Sequence, residues 1–325
     1  MIRTAAIDCG TNSIRLLIAD VDDDGGVLTD VVRLMRVVRL GEGVDTTGRL
    51  SEAALERTFA AATEYAEQIR AHGADRVRFV ATSATRDAQN RDEFTAGIRK
   101  LLGVTPEVVS GDEEAALSFS GALSVLPPAA SADDELVLVV DLGGGSTEFV
   151  VGDARGVSAS ISMDMGCVRF TERYLASDPP TAQEIATMET EVSRLIDQAA
   201  QKVPFDQVTR LIGVAGSITT ITAHALDLPE YSPDAIHGAE LERNQVSRAA
   251  TDLLEMSREH RSTLPYMHPG RVDVIGAGAL IWRTITAHVQ DATGGRVATS
   301  VASEHDILDG IALSQTSRPG QKSGI

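Results

Sequence analysis

Two segments of this chain repeat one another 133 residues apart (positions 8 and 141), and any fold must present the same strand–turn–strand device twice. Ala6-Ile7-Asp8-Cys9-Gly10-Thr11-Asn12-Ser13-Ile14-Arg15-Leu16-Leu17-Ile18 is matched by Val139-Val140-Asp141-Leu142-Gly143-Gly144-Gly145-Ser146-Thr147-Glu148-Phe149-Val150-Val151. Asp8 aligns with Asp141, Gly10 with Gly143 and Ser13 with Ser146. In each copy an apolar run ends in an aspartate, a small-residue turn follows, and a second apolar run leaves it, the pattern of a β-hairpin. A turn without bulky side chains lets backbone N–H groups approach an anion, and an aspartate at its mouth can hold a hydrated cation. Two such turns facing each other would grip a phosphate chain and its metal. Thr11, Asn12, Ser13, Gly143, Gly144, Gly145, Ser146 and Thr147 are the expected phosphate-binding residues, and Asp8 and Asp141 the expected magnesium-orienting pair. The bland alternative for either aspartate is an Asx-turn bonding its own backbone.

With 325 residues, two domains are expected. A hydrophobic content of 43% and a charged content of 23% fit a globular chain with a real core. No apolar run approaches the roughly 20 residues of a membrane span, and the N-terminus enters a strand pattern without signal-peptide regions. Cys9 and Cys167 do not have the spacing of a disulfide framework, so a reducing, cytoplasmic compartment is expected. A net charge of −18 argues against nucleic acid and anionic membrane as partners. It also means that a polyanionic substrate needs a local site of backbone amides, basic side chains and metal.

Strand patterns at 2–21 and about 27–40 flank the acidic turn Asp22–Gly26. Ser51 opens a helix that ends near Gly73, Arg76–Ala81 is a short strand, and Thr82–Arg86 turns into another helix. Val108-Val109 is a strand, followed by a helix from Ser110 to about Leu126. Pro127–Glu135 has linker composition, and a strand starts at Leu136. Thr181 and Glu184 fit a capping box, Leu211–Ser217 a strand running into a glycine turn and a helix through His224. Val272–Ala287 reads as a helix, Val297–Val301 as a strand and Glu304–Leu313 as a final helix. Strands alternating with helices imply α/β sheets covered by helices. The expected division is a first domain at 1–126 with a helix at about 303–315 packing back on it, a second at 127–302, and a polar tail at 316–325.

Glu148 stands where the first hairpin has Arg15, so one device carries an anion where the other carries a cation. If both face the site, Arg15 binds phosphate and Glu148 completes the metal shell; if both face solvent, they are ordinary strand charges. Ser110 and Glu113 fit capping-box spacing, which accounts for Glu113 and leaves Glu114 as the better catalytic base, with Glu113 the second choice. Arg86 lies where a strand meets a helix, a natural anion position, though such an arginine is more often a surface residue. Gly216 and Ser217 could pack a base or a phosphate, or serve only tight strand–helix packing. The seven histidines show no metal-ligand spacing, and Met163, Met165 and Cys167 read as core filler.

Together these residues resemble the exopolyphosphatase/guanosine pentaphosphatase branch of the acetate and sugar kinase/Hsc70/actin superfamily. The resemblance is carried by AIDCGTNSIRLLIADV from Ala6, ATSATRDAQN from Ala81, SGDEEAALSFSGAL from Ser110 and VVDLGGGSTEFVVG from Val139. MGCVRFTERYL from Met165, GVAGSITTITA from Gly213 and GRVDVIGAGALIW from Gly270 extend it over nearly the whole chain. It implies two actin-like (ribonuclease H-like) α/β domains with mixed sheets flanked by helices, and an active site in the cleft between them. It also implies magnesium-dependent hydrolytic release of the terminal phosphate from inorganic polyphosphate, or of the 5′ γ-phosphate from guanosine pentaphosphate. By motif, the Glu113-Glu114 pair supplies the base, Asp141 and Glu148 the metal and water roles, and Arg86 a phosphate contact. A monovalent cation and a homodimer are further expectations. Long members carry an extra C-terminal helical region that holds long polymer; within these 325 residues it is absent, so shorter chains are the expected preference. Two rivals stand beside the hydrolase. A kinase would need an acceptor pocket, and a non-catalytic polyphosphate or alarmone sensor would need no base.

Overall fold

The computed structural model describes residues 1–22, 28–125, 135–153 and 155–316. Most of the expected Asp22–Gly26 turn, of the 127–135 linker and of the 316–325 tail lies outside these residues. The chain divides into two compact units, Met1–Gly121 with the segment from Ile307, and Ala122–Asp306.

The first unit is built on β1 (Ile2–Cys9), β2 (Ser13–Val21) and β3 (Leu28–Val37), a meander of antiparallel neighbours. After α1 (Val44–Thr47) comes α2 (Glu52–His72), whose limits follow from its caps. The Ser51 hydroxyl accepts the Ala54 N–H at its start, and Gly73 closes it at φ 62°, a left-handed conformation that glycine adopts without strain. β4 (Arg76–Ala81) then runs parallel to β1, leading through α3 (Ser83–Asp87) and α4 (Arg91–Leu102) to β5 (Glu107–Val108) and α5 (Gly111–Ala122). The sheet order is β3-β2-β1-β4-β5. Ile7, Ile14, Leu16, Tyr65, Phe79 and Phe94 form its fully buried centre, each contributing about 1.5–3 kcal/mol of transfer free energy. The Tyr65 hydroxyl is satisfied there by the Ile14 carbonyl at 2.9 Å.

The second unit repeats the plan. β6 (Val137–Leu142), β7 (Thr147–Asp153) and β8 (Gly156–Met163) form the meander. Next come α6 (Cys167–Tyr174), α7 (Ala182–Ala200) and β9 (Arg210–Val214), the last parallel to β6. α8 (Gly216–Ala225), α9 (Pro233–Ile236), β10 (Glu240–Glu242), α10 (Arg243–Glu255), α11 (Arg258–Ser262), α12 (Ile275–Ala292) and β11 (Thr299–Ala302) complete it. The order is β8-β7-β6-β9-β11-β10, with β11 parallel to β9 and β10 antiparallel at the edge. Setting β10 aside, both sheets have one order and one pattern of strand directions, so the repetition seen in the hairpins extends to whole ribonuclease H-like sheets. At Thr181 the capping box is complete: Glu184 N–H bonds the Thr181 hydroxyl at 3.2 Å and the Glu184 carboxylate accepts Thr181 N–H at 2.7 Å.

The closing helix α13 (Ile307–Leu313) packs on β1 and β2 of the first unit. Gly310 meets α5 so closely that a Cβ there would lie 1.9 Å from the Leu117 carbonyl oxygen. The helix starts three residues later than the expected Glu304. The Ser303 hydroxyl donates to the His305 carbonyl and accepts the His305 N–H, which holds 303–305 in a turn. Similarly, the helix expected from Val272 begins at Ile275, after a 3₁₀ turn at Pro269–Arg271. Among the described residues no helix is long and apolar enough to cross a membrane.

Candidate active site

The first hairpin places Asp8 directly opposite Arg15. Directly opposed residues of an antiparallel pair share a face. Arg15 grips Asp8 Oδ2 through Nε at 3.0 Å and Nη2 at 2.6 Å. The turn is closed by Gly10 N–H donating to the Ser13 carbonyl at 2.9 Å. The Asn12 carbonyl accepts both Val38 and Arg39 N–H groups, and the Thr11 carbonyl accepts Gly41 N–H at 2.8 Å, so β3's exit braces the turn. The Thr11 hydroxyl, expected to face phosphate, pairs with the Ser83 hydroxyl at 2.9 Å, which ties the turn to the start of α3.

Parallel pairing of β4 with β1 delivers Thr82 and α3 beside this turn, and Arg86 comes with them. Its Nη1 donates to the Val109 carbonyl and to Glu114 Oε2, each at 3.0 Å. The Glu114 side chain is 9% exposed and that of Glu113 43%. The two neighbours therefore differ in chemistry. Glu113 lies on Arg78 at 2.6 Å, and Arg78 also holds Glu107 and the Ser314 hydroxyl, a strap that secures β4, β5 and the segment after α13. The Ser110 hydroxyl accepts Glu113 N–H at 3.2 Å, as the capping spacing predicts. Glu114 is a largely dehydrated carboxylate held by the Arg86 guanidinium, and dehydration together with fixed orientation suits a proton acceptor.

In the second hairpin Asp141 stands opposite Glu148, the same register as Asp8 and Arg15. Gly143 N–H donates to the Ser146 carbonyl at 3.0 Å, repeating the first turn's closure. The Ser162 hydroxyl donates to Glu148 Oε1 at 2.6 Å. The loop of three glycines is held by α6: the Gly143 carbonyl accepts Cys167 N–H, and the Gly144 carbonyl accepts those of Val168 and Arg169. A Cβ on Gly166 would lie 2.3 Å from the Gly144 oxygen, so close an approach requires glycine. Thr147, counted from sequence among the phosphate ligands, is fully buried and its hydroxyl donates to the Met165 carbonyl. Arg169 was missed by the sequence reading. Its Nε donates to the Gly145 carbonyl at 2.7 Å and so sets a cation on the glycine turn. The available signal was an arginine at the start of a helix right after a glycine, in a segment otherwise read only for its apolar residues.

The two hairpins thus differ in charge at one register position. Asp8 meets Arg15 within its own hairpin, whereas Asp141 and Glu148, 7% and 1% exposed, set two carboxylates opposite each other across adjacent strands. Among the described residues no group of three or more His, Cys, Asp and Glu side chains could form a protein-only metal cage. Two carboxylates fit magnesium, which binds through one or two of them and completes its octahedron with water and substrate phosphates.

Gly216 and Ser217 begin α8 at the carboxyl end of β9. Ser217 is buried, and a Cβ on Gly278 of α12 would lie 2.5 Å from its hydroxyl oxygen. Gly213 is likewise required by packing, since its Cβ would meet Ile218 and Trp282 at 2.8 Å. Burial raises the thiol pKa of Cys9 and of Cys167, and both remain free thiols.

The sequence pattern of the Ppx/GppA phosphatase family matches residues 17–315, leaving the first strand and turn upstream of the matched stretch. Exopolyphosphatase 2 of Mycobacterium tuberculosis is 47% identical over 319 residues, covering 96% of this chain and 98% of that protein. The crystal structure of an exopolyphosphatase-like protein is 45% identical with a TM-score of 0.91, covering 97% of each chain. The Ppx/GppA enzyme of Aquifex aeolicus is 31% identical with a TM-score of 0.78, covering 96% of this chain and 99% of that one.

Proposed function

Since this chain belongs to the Ppx/GppA phosphatase family, we propose that it is an exopolyphosphatase. On this reading water attacks the terminal phosphorus of inorganic polyphosphate, the bridging P–O bond breaks, and orthophosphate leaves with a chain shortened by one unit. The observation that carries the mechanism is Glu114, a dehydrated carboxylate held by Arg86. Glu114 takes the proton of the attacking water. Arg86 holds it correctly turned and has further guanidinium donors for a phosphate oxygen. Glu113, committed to Arg78, has a structural role. Asp141 and Glu148 would hold magnesium, and the ion would supply neutralisation of phosphate charge. Amides of the Gly143–Gly145 turn, with Arg169 held on it, supply positive field for phosphate oxygens. No phosphoenzyme is needed, because phosphoryl transfer depends mainly on positioning and electrostatic stabilisation. A homodimer in a reducing cytoplasm belongs to the same proposal.

The test is orthophosphate release from short polyphosphate, long polyphosphate, guanosine pentaphosphate and ATP, each with and without magnesium. Magnesium-dependent release from polyphosphate without any acceptor is expected. Release that requires an added acceptor would make the protein a kinase, and tight polyphosphate binding without release would make it a sensor.

A further inference from the structure

Among the described residues each sheet ends in a strand with no strand beyond it, and such an edge can accept a strand from another chain. Three of these edges carry features that discourage pairing. β5 has two residues, and β10 has three, two of them glutamates. β3 is long, but Asp30, Arg33 and Arg36 lie along it. β8 is the exception. Its eight residues, Gly156–Met163, include no charged side chain and no proline. The register shift in its pairing with β7 falls between Val151 and Gly152, so Ala159–Met163 is an unbroken edge.

Alternation sets Ala159, Ile161 and Met163 on the face that packs on the second unit's core, opposite Val151, Phe149 and Thr147 of β7. The other face carries Ser160 and Ser162. The occupant that suits this edge is a second copy of the chain. With a net charge of −18 two copies repel over most of their surfaces, and they meet at least cost along a strip without charge. Two identical strands paired antiparallel are related by a two-fold axis, the commonest symmetry of soluble oligomers. The flanking charges favour that direction. Arg155 precedes β8 and Asp164 follows it, both with exposed side chains. Antiparallel pairing centred near Ser160 lays the Arg155 end of each copy beside the Asp164 end of the other, whereas parallel pairing would align like charges. Arg155 bonds Asp153 at 2.5 Å and Asp164 lies 3.8 Å from Arg169, so each would join a short run of alternating charge across the contact.

We propose that β8 is the contact of the homodimer, two copies pairing this strand antiparallel and joining their second-unit sheets into one. That a homodimer forms rests on the reading above; the choice of strand rests on this edge alone.

Size-exclusion chromatography with light scattering gives the mass in solution, and twice the mass of the chain is expected for the wild type at micromolar concentration. Ser160→Arg sets like charges against each other near the two-fold axis and should leave a monomer with unchanged circular dichroism. Arg155→Glu should raise the dimer dissociation constant by roughly tenfold, and adding Asp164→Arg should restore it. Ser160→Cys should cross-link two copies on mild oxidation, because opposed Cα atoms of antiparallel strands lie about 4.5–5.5 Å apart, within disulfide reach. Arg194→Cys on α7, also exposed, should not. A wild-type monomer overturns the homodimer and this contact together. A dimer that persists in Ser160→Arg and does not cross-link through Ser160→Cys overturns the contact alone. If Ser160→Arg fails to fold, the cross-link and the charge exchange decide in its place.

Discussion

Adjacent glutamates in one helical turn have different fates because their neighbours differ. Glu113 is half-exposed and strapped to Arg78, while Glu114 is buried and held by Arg86. Glu114→Gln keeps size and most polar contacts but cannot accept a proton, so turnover should fall by roughly 10²–10⁴ with polyphosphate binding retained. Glu113→Gln should stay within a few-fold of wild type in turnover. Steady-state phosphate release with parallel binding measurements checks both, and equal losses in the two variants would remove Glu114 from its role. At this scale the sequence told part of the story. The helix-cap geometry of Ser110 was readable from spacing, because capping is local. Arg78 gave no such signal, since its three partners lie 29, 35 and 236 residues away. The partners of the Thr11 and Thr147 hydroxyls were hidden for the same reason: Ser83 and the Met165 carbonyl reach them only once the sheets have formed.

Elements with strong local punctuation came out of the sequence almost to the residue. The strand Arg76–Ala81, the helix between Ser51 and Gly73 and the capped start of α7 are examples. β8 and α10 did not, and β8 shows why: its Gly156–Met163 pattern alternates small polar with apolar residues on a sheet edge, where few side chains are buried enough to leave a mark. The α7 cap carries a pH prediction. The Thr181 backbone N–H first, then the Thr181 hydroxyl and the N–H groups of Ser177 and Ala176, pull the Glu184 pKa down to about 2 from an ordinary 4.5. A carboxylate lowered in the folded state stabilises above its unfolded value and loses that contribution as pH falls through its folded value. The thermal midpoint of Glu184→Ala should therefore lie below wild type by a constant margin above about pH 5, and that margin should shrink between about pH 4.5 and 2. A margin independent of pH down to 2 would show that the carboxylate's charge does not matter to the cap.

Over the whole molecule, repetition was the most legible property, because a hairpin that recurs with aspartate, glycine and serine in register needs no tertiary information to be seen. Its extension to two sheets of the same strand order became visible only in the structure; the exchange of Arg15 for Glu148 was already readable, and the structure added the register that sets Asp8 on Arg15 and Asp141 opposite Glu148. A chain of net charge −18 that handles polyanions must concentrate its attraction locally, as with arginines held by backbone carbonyls such as Arg86 and Arg169. The most direct test of the central claim, hydrolysis by water at the terminal phosphorus, is turnover of a defined-length polyphosphate in ¹⁸O-labelled water with magnesium and no acceptor. The account predicts one ¹⁸O atom in each released orthophosphate and none in the shortened chain; label appearing in the residual polymer, or no release until an acceptor is added, would contradict it.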